Sequence, residues 1–579
     1  MKKWKQGCAL LLMAGLLSTS LTGCGLLQRA ASAAKDVVAE VVAETEAATE
    51  TPSATNENTE KPETPAATEQ TAVLQERPAS GAPVLAKSFT VAYETAPDYG
   101  ACLVNGRCES PVLADFCAEQ YPALATALDA YAKEEIKTYN DTIADLKEQA
   151  EMEYQANPDM FQDGMFYTSN VTVLPQRVDE KVVSFFSSTS DFTGGAHGMY
   201  GMVGKNFDTQ NGKELLLTDV LNDLSDLTER IKTELLANYD PELFNDLDED
   251  LALYDVAVTE MTATADNDMG YVYPYHWALT PTGVAFYFGP YELAAYAAGA
   301  QIVTLSYDKN PDLFKPDYLP TGSSGYMVPF EWTLTGYDIN GDGKPNTITL
   351  DYDYDANYEA RLALRMTVDG MGSAATGESL FGTDYDVMGY YVHTGDGRQY
   401  IYCTEDMESD FQEWYVFDLN GSEIQYVGET GFKRTVSQED DGTLRELLLT
   451  DPDDMLLAQP FDFLCTFSAV KDYHAGPDGM PVSDEPYFYV YYDCAQEPLV
   501  AKTELEYIML DENGDETKGK GVINPGDSFR VYRTDGEKVL DVTLSDGTLG
   551  RLTITSTEYP CQINGLQDED CVETLWYAG

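Results

Sequence analysis

Positive charge and histidine are scarce in this sequence. Lysine and arginine together number 35 against 99 acidic residues, for a formal net charge of −64, and there are four histidines. A chain this acidic is repelled by nucleic acid and by anionic lipid head groups, so nucleic acid is not an expected partner. The same charge would attract cationic partners, less strongly as salt rises. The alternative is that acidity only keeps an exposed protein soluble.

Long apolar runs are absent beyond the start of the chain, so no membrane-spanning helix is predicted. The start itself is cationic and is followed by an apolar stretch, Cys8–Leu17, which fits the h-region of a signal peptide. Leu21-Thr22-Gly23-Cys24 then looks like a lipobox. Residues 1–23 are therefore predicted to be a lipoprotein signal peptide. Cys24 would carry a diacylglycerol anchor at the extracytoplasmic face of the cell membrane, where two acyl chains suffice for stable attachment.

Aromatic residues are also scarce just after the predicted anchor. Residues 24–85 are rich in Ala, Glu, Thr and Pro, a composition that cannot seed a core. They are predicted to form a disordered acidic tether. The chain as a whole is 43% apolar and 11% aromatic, with 39 tyrosines, which is typical of a folded β-rich protein.

Ten cysteines are present, and the signal peptide and the anchor account for two of them. An even remainder outside the cytoplasm is compatible with disulfides. Cys102 and Cys108 bracket a turn-like Leu-Val-Asn-Gly-Arg, and Cys561 and Cys571 bracket a second short segment. Each pair is a candidate local disulfide. Neither pair has the spacing of a structural zinc site.

The folded part is expected to divide into two halves. Apolar residues at spacings of three, four and seven predict a long helix over about 122–154, and a second is predicted over 219–238. With intervening strands, residues 86–322 are predicted to be an α+β domain, an antiparallel sheet with helices on one side. Recurrent Pro, Gly and Asp turns then predict an all-β region, with a β-rich domain over 323–500 and a small β domain over 501–579.

Four motifs in the first half follow one another in order. They are Phe192-Thr-Gly-Gly-Ala-His-Gly198, Asn206-Phe-Asp-Thr-Gln-Asn-Gly-Lys213, Ala278–Phe288 and Tyr291–Gly299. Together they resemble the extracytoplasmic domain of RsiV-type proteins, with Asn211 where that family usually has Thr. The resemblance implies a wall-side recognition module, with lysozyme or peptidoglycan as ligand. The module also precedes peptidoglycan deacetylase domains, but the four scattered histidines provide no metal site of that kind.

His197 and its glycine neighbours form the candidate ligand site within this resemblance. Gly194 and Gly195 would let a ligand approach the backbone closely, beside the imidazole of His197. The alternative is that the two glycines only make a tight turn and that the imidazole satisfies local backbone groups. No Ser, Cys or second His stands at a spacing that would make His197 catalytic.

A loop at the start of the second half alternates oxygen-bearing side chains. Asp338, Asn340, Asp342 and Asn346 surround glycines at 341 and 343, as a hard cation such as calcium requires. An EF-hand would need Glu where Thr349 stands, and the segment is more similar to the hairpin loops of FG-GAP-type repeats. Calcium binding and a plain Asx-rich turn are both open alternatives.

The expected function is that of a non-enzymatic binding lipoprotein, which recognises a wall-associated ligand or a cationic protein such as lysozyme. The first alternative is a structural or adhesive surface protein that calcium stiffens. A weaker alternative is a cell-wall hydrolase. Such an enzyme needs two carboxylates close together in space, and the sequence does not show which of the 99 acidic residues are neighbours in the fold.

Overall fold

The computed structural model describes residues 81–96, 101–162, 164–259, 261–263, 271–320, 325–355, 361–377, 387–406, 411–433, 435–438, 444–493 and 498–577. The predicted signal peptide, the anchor Cys24 and nearly all of the predicted tether lie outside these residues. The described part is mostly β, in several sheets, which confirms the β-rich, multi-domain character expected from composition.

Seven α-helices are present in the described residues. They are α1 (Asp115–Ala118), α2 (Pro122–Ala156), α3 (Pro158–Gln162), α4 (Leu217–Val220), α5 (Leu227–Asn238), α6 (Leu247–Leu251) and α7 (Asp568–Cys571). Single 3₁₀ turns occur at Pro241–Leu243, Tyr296–Ala298 and Pro316–Tyr318. The predicted long helix is confirmed as α2, with proline in its first turn.

The strands of the first half and of the region that follows it are numbered in chain order. They are β1 (Leu85–Thr95), β2 (Cys102–Leu113), β3 (Tyr167–Val178), β4 (Val182–Phe192), β5 (Met199–Asp208), β6 (Thr262–Ala263), β7 (Tyr271–Val272), β8 (His276–Leu279), β9 (Gly283–Phe288), β10 (Gln301–Ser306), β11 (Tyr326–Phe330), β12 (Thr333–Tyr337), β13 (Asn346–Tyr354), β14 (Arg361–Val368), β15 (Gly372–Ala375), β16 (Val387–His393) and β17 (Gln399–Asp406).

The numbering continues to the end of the chain. The strands are β18 (Phe411–Asp418), β19 (Gln425–Lys433), β20 (Val436–Gln438), β21 (Leu444–Leu447), β22 (Met455–Asp462), β23 (Thr466–Ala475), β24 (Pro481–Val482), β25 (Phe488–Asp493), β26 (Leu499–Val500), β27 (Leu505–Leu510), β28 (Glu516–Ile523), β29 (Ser528–Thr534), β30 (Val539–Leu544), β31 (Leu549–Ser556), β32 (Gln562–Ile563) and β33 (Leu566–Gln567).

Sheet 1 has the order β20-β21-β1-β2-β3-β4-β5. Strands β2 and β3 pair in parallel because α2 connects them as a crossover. The other pairings within this sheet are antiparallel. Sheet 1 is therefore mixed, which corrects the prediction of an antiparallel sheet.

Sheet 1 lies between α2 on one face and the three-stranded sheet 2, of order β10-β9-β8, on the other. Consecutive residues of β4 show the two faces, since Phe185 packs with α2 and Phe186 packs with sheet 2. The outer face of sheet 2 is covered by α5, through Leu227, Ile231 and Leu235. Helices therefore form both outer layers, which corrects the prediction of helices on one side.

The second half is all-β in the described residues apart from α7. Its main sheet, sheet 3, runs from β11 through β16–β19 and then from β22 to β33, and a four-stranded sheet 4, β12-β13-β14-β15, packs on β11 and β16–β18. A strand pairing and a hydrophobic core both extend across domain boundaries that were predicted from the sequence. Strand β21 pairs with β1 of the first half, and one hydrophobic core extends from Phe463 to Val572.

Candidate recognition surface

The loop between β4 and β5 carries the predicted glycines. Gly194 and Gly195 have φ values of 86° and 95°, in the left-handed region that favours glycine. Strands β4 and β5 flank the loop, and the pair of residues nearest to it is Asp191 and Met199. A Cβ atom added to Gly195 would meet no atom within 4 Å, so the surface above this residue is open. The positive φ values account for glycine at both positions, and the ligand site at Gly194, Gly195 and His197 stays a prediction.

His197 follows these glycines and is half-buried in a cluster of aromatic rings. Its imidazole stacks on Tyr296 with ring centroids 4.4 Å apart and planes 23° apart. The ring of Tyr291 is 6.5 Å from the imidazole and 5.7 Å from Tyr296. The Nδ1 atom of His197 is buried and has no hydrogen-bond partner within the described parts of the chain. The imidazole is therefore held by ring packing rather than by local backbone groups.

Tyr291 presents its side chain to solvent from a strained backbone position. Its φ is 72°, which is uncommon for any residue with a side chain, and the residue is 51% exposed. The residues around it are fixed, since Leu293 is buried in the core between sheet 2 and α5 and Ala294 forms a bridge with Phe244. A strained conformation that its surroundings impose is a feature of functional sites.

Tyr200 at the start of β5 extends the same surface. It is 38% exposed, and its backbone carbonyl lies near Gly289 in the connection between β9 and β10. Burial of its hydroxyl, followed by the nearby charges of Glu331 and the Tyr296 hydroxyl, raises the pKa of Tyr200. A further carboxylate, Glu292, accepts a hydrogen bond of 2.8 Å from the Tyr254 hydroxyl.

These four side chains, His197, Tyr200, Tyr291 and Tyr296, are called the aromatic patch below. The patch lies where the β4–β5 loop of sheet 1 meets the β9–β10 connection of sheet 2. Exposed aromatic faces next to carboxylates are suited to lysine and arginine side chains, which gain cation–π and charge contacts together. The patch holds no nucleophile and base pair of the kind that catalysis needs.

The predicted calcium loop joins β12 to β13, and its oxygens mostly accept backbone hydrogen bonds. Asp338 accepts from Gly343 N at 2.8 Å, and Asn340 accepts from Asp342 N at 3.0 Å. Asn346 is buried and accepts from Ile339 N at 2.7 Å. Among the described residues no group of three His, Cys, Asp or Glu side chains is arranged to hold a metal ion. Calcium binding here stays a prediction.

The predicted turn between Cys102 and Cys108 is wrong, because both residues belong to β2. Six residues of extended strand separate their Cα atoms by roughly 20 Å, whereas a disulfide needs less than about 7 Å. These two cysteines therefore do not bridge to each other. Cys561 and Cys571 share a core, and both are thiols in this structure. A disulfide between Cys561 and Cys571 stays a prediction.

His197 was predicted from the sequence, whereas the tyrosines around it were not. Tyr291 and Tyr296 stand in the fourth quoted motif, about a hundred residues further along the chain, so only the packing of sheet 2 on sheet 1 brings them to His197. One sequence feature could have indicated them: Tyr291 and Tyr296 stand five residues apart in a segment between two buried strands. Nothing in the sequence indicated Tyr200.

Sheet 1, sheet 2 and the aromatic patch place the chain in the class of multi-sheet, β-rich proteins with an exposed aromatic surface. A family model described as "Protein of unknown function (DUF3298)" matches residues 218–308, which extend from α4 to just past β10 and include Tyr291 and Tyr296. The match indicates a DUF3298 domain in this part of the chain.

Two solved structures are similar to part of the chain. A DUF3298 family member from Bacteroides fragilis is 16% identical, with a TM-score of 0.29, and the match covers 41% of this chain and 96% of that one. A DUF3298 family protein from Pseudomonas aeruginosa is 20% identical, with a TM-score of 0.25, over 40% of this chain and 96% of that one. No curated protein matches the chain. The described residues contain no helix long and apolar enough to cross a bilayer.

Proposed function

We propose that the protein is a non-enzymatic, lipid-anchored binding protein of the extracytoplasmic membrane face, which recognises a cationic protein such as lysozyme or a wall-associated ligand. The aromatic patch is the observation that carries this proposal. Three tyrosines and a histidine are grouped on an exposed surface of a chain with a net charge of −64. The resemblance to RsiV-type extracytoplasmic domains points to the same class of ligand.

The association rate and the affinity of such a complex have different physical sources. The excess of acidic residues would draw a basic protein towards the surface and raise the association rate, and this contribution weakens with salt. The affinity would come from the patch, because tyrosine supplies large, rigid contact area and is enriched among residues that dominate binding energy. A specific complex therefore survives at physiological salt, whereas attraction by charge alone does not.

The anchor gives the binding surface its location. Cys24 would hold the chain at the membrane through two acyl chains. The acidic, proline-containing segment between Cys24 and the folded part would act as an extended tether, because charge repulsion and proline oppose compaction. The predicted tether ends earlier than residue 85, since Leu85 is the buried first residue of β1. The folded part would then stand away from the membrane, where a wall-associated or soluble ligand has access to it.

Calorimetric titration with lysozyme tests the proposal. The sample is the chain without residues 1–23 and with Cys24→Ser, at about physiological ionic strength. We expect saturable one-to-one binding, and we expect Tyr291→Ala to weaken it by roughly 2 kcal/mol, about thirtyfold in Kd. Tyr93→Ala is the matched control, since Tyr93 is 40% exposed on β1, outside the patch. Heat that disappears with salt, or equal loss in both variants, would contradict the proposal.

A calcium-stiffened structural or adhesive protein is the second proposal, and the loop of Asp338, Asn340, Asp342 and Asn346 favours it. If calcium binds there, added calcium raises the melting temperature, and Asp342→Asn reduces that rise. Asp511→Asn is the control, because Asp511 lies in a similar turn between β27 and β28. An unchanged melting temperature across a calcium titration would exclude this role. A cell-wall hydrolase stays the weakest proposal, and turnover of wall fragments is its test.

A further inference from the structure

One face of sheet 1 is partly exposed at the end of the sheet that carries the β4–β5 loop. Along β3, Tyr167 and Val171 are buried in the core beneath α2, whereas Thr168 and Asn170 on the opposite face are half-buried. Sheet 2 packs on that opposite face further along, at Phe186. The outward-facing side chains of residues 91–93, 105–107, 168–170 and 190–192 form the exposed part, which is called the open strip below.

The open strip is four strands wide and two rows of side chains deep. Val91 of β1 lies opposite Arg107 of β2. Asn170 of β3 lies between Arg107 and Ser190 of β4, so one row crosses all four strands. Tyr93 ends the second row, two residues further along β1. With strands about 4.8 Å apart and a rise of about 3.3 Å per residue, the strip measures roughly 14 by 7 Å.

Apolar side chains and one compensated charge lie at the β1 end of the strip. Val91 is 53% exposed and Tyr93 is 40% exposed. The guanidinium of Arg107 lies over the ring of Phe89, 4.0 Å from its centroid, and pairs with the Glu109 carboxylate at 3.0 Å. None of the strip's own side chains is a carboxylate, although 99 of the 579 residues are acidic. The strip is therefore close to neutral.

The remaining polar groups of the strip are open to a ligand. The hydroxyls of Thr168 and Ser190 form no hydrogen bond with the described residues and are not among the buried polar atoms. Asn170 accepts a hydrogen bond from the Arg107 backbone N–H at 3.2 Å through its Oδ1, which leaves its Nδ2 to donate elsewhere. Neutral donors and acceptors therefore stand next to an exposed aromatic ring.

The size and the charge of the strip restrict the class of ligand. An area of roughly 100 Å² is far below the ~800 Å² that each partner buries in a stable protein interface, so a second copy or another folded protein is not the expected occupant. A polyanion is repelled by the net charge of −64, and a cation finds no carboxylate on the strip. A narrow, uncharged ligand that is rich in hydroxyls meets these conditions.

We propose that the open strip binds an uncharged glycan chain, which lies across β1 to β4. The ring of Tyr93 stacks on the C–H face of one sugar, and Thr168, Asn170 and Ser190 bind hydroxyls of the sugars that follow. The distance of about 4.8 Å between strands is close to the repeat of one sugar in an extended chain. The strip shares no residue with the aromatic patch and does not depend on the function proposed for the patch.

The probes are three tetrasaccharides, cellotetraose, the tetramer of N-acetylglucosamine and the tetramer of galacturonic acid. Calorimetry and saturation-transfer NMR are applied to the soluble chain with Cys24→Ser. We expect an uncharged tetramer to bind saturably with a Kd of about 1 mM or lower, and the tighter of the two identifies the sugar. The galacturonate, with one carboxylate per ring, should bind about tenfold more weakly. No saturable binding of either uncharged tetramer, or equal binding of the galacturonate, overturns the proposal.

Variants of Tyr93 locate the binding on the strip. Tyr93→Phe keeps the ring and is expected to keep binding, whereas Tyr93→Ala is expected to weaken it about tenfold. Tyr354→Ala is the matched control, since Tyr354 is a strand tyrosine of sheet 4 that is also 40% exposed. Equal weakening by Tyr93→Ala and Tyr354→Ala overturns the proposal. Dissociation of a dimer by Tyr93→Ala also overturns it and would assign the strip to a second copy.

Two further variants separate this site from the fold and from the aromatic patch. Ser190→Val removes a hydroxyl from the β4 end of the row, and it is expected to weaken glycan binding about threefold even if Tyr93→Ala folds poorly. Tyr291→Ala, in the aromatic patch, is expected to leave glycan binding unchanged. Unchanged glycan binding in Ser190→Val, or loss of it in Tyr291→Ala, overturns the proposal.

Discussion

Glu405 on β17 shows how a single carboxyl joins two sheets. Its side chain is 1% exposed and accepts hydrogen bonds from Tyr352 of sheet 4, at 3.0 Å, and from Tyr415 of sheet 3, at 3.4 Å. Arg361 lies 3.9 Å away. Burial raises the pKa of Glu405, and the two tyrosines and Arg361 only partly oppose that effect.

The raised pKa of Glu405 predicts a dependence of stability on pH. The folded state holds this proton more tightly than the unfolded chain, whose glutamate pKa is about 4.3. The stabilising contribution is therefore complete below that pH and is lost as pH rises through the higher pKa of the folded state. We expect the free energy of unfolding of Glu405→Gln to fall less than that of the unchanged protein as pH rises from 4.5 to 7. Urea unfolding of both proteins across this range measures the difference.

The half-buried carboxyl of Asp353 supplies the control for this series. Its pairing with Arg365 lowers the pKa of Asp353, so its titration lies below that pH range. Asp353→Asn should shift the stability without changing its slope between pH 4.5 and 7. An identical slope in Glu405→Gln and in the unchanged protein would show that the pKa of Glu405 is the same in the folded and unfolded states, contrary to the prediction.

Among the elements, β5 and β8 approach each other unusually closely. A Cβ atom on Gly204 would lie 2.0 Å from the Trp277 carbonyl oxygen, whereas one on Gly201 of the same strand would meet nothing nearer than 3.6 Å. We expect Gly204→Ala to lower the free energy of unfolding by about 2 kcal/mol or more, since the backbones must separate. Gly201→Ala should change it by less than about 0.5 kcal/mol. Equal effects in thermal unfolding would contradict close packing of sheet 2 on sheet 1.

An element could be predicted from the sequence when residues close to one another in the chain determine it. Helix α2 was predicted because its apolar residues recur every three or four positions and bury one face. The helix predicted over 219–238 is interrupted, because Leu221 forms a bridge with Phe314 and Asn222 N donates to the Leu313 carbonyl. Those partners lie about ninety residues away, beyond what a local pattern can indicate.

The predicted turn between Cys102 and Cys108 failed for a related reason. Asn105-Gly106 is a strong turn signal, yet both residues lie inside β2. A Cβ atom on Gly106 would be 2.8 Å from the Tyr139 hydroxyl and 2.1 Å from the Ser169 carbonyl oxygen. Glycine is required here for close packing of α2 and β3, which a sequence pattern does not distinguish from a turn.

At the scale of the whole molecule, the halves predicted from the sequence are joined by contacts that it did not indicate. Strand β21 extends sheet 1 next to β1, and Lys87 contacts Glu109 and Glu446 from the two neighbouring strands at 3.1 and 3.7 Å. A cavity beside Arg177 and His393 lies at the same junction. Pairing across more than three hundred residues has no local signature.

The proposed function requires the aromatic patch to be the binding surface for a cationic protein. Backbone hydrogen–deuterium exchange of the soluble chain, with and without lysozyme at about physiological salt, can locate the binding surface. We predict slower exchange over residues 193–200 and 289–300 in the complex, and unchanged exchange in sheet 4. Protection that is spread over the acidic surface or absent from both segments would contradict binding at the aromatic patch.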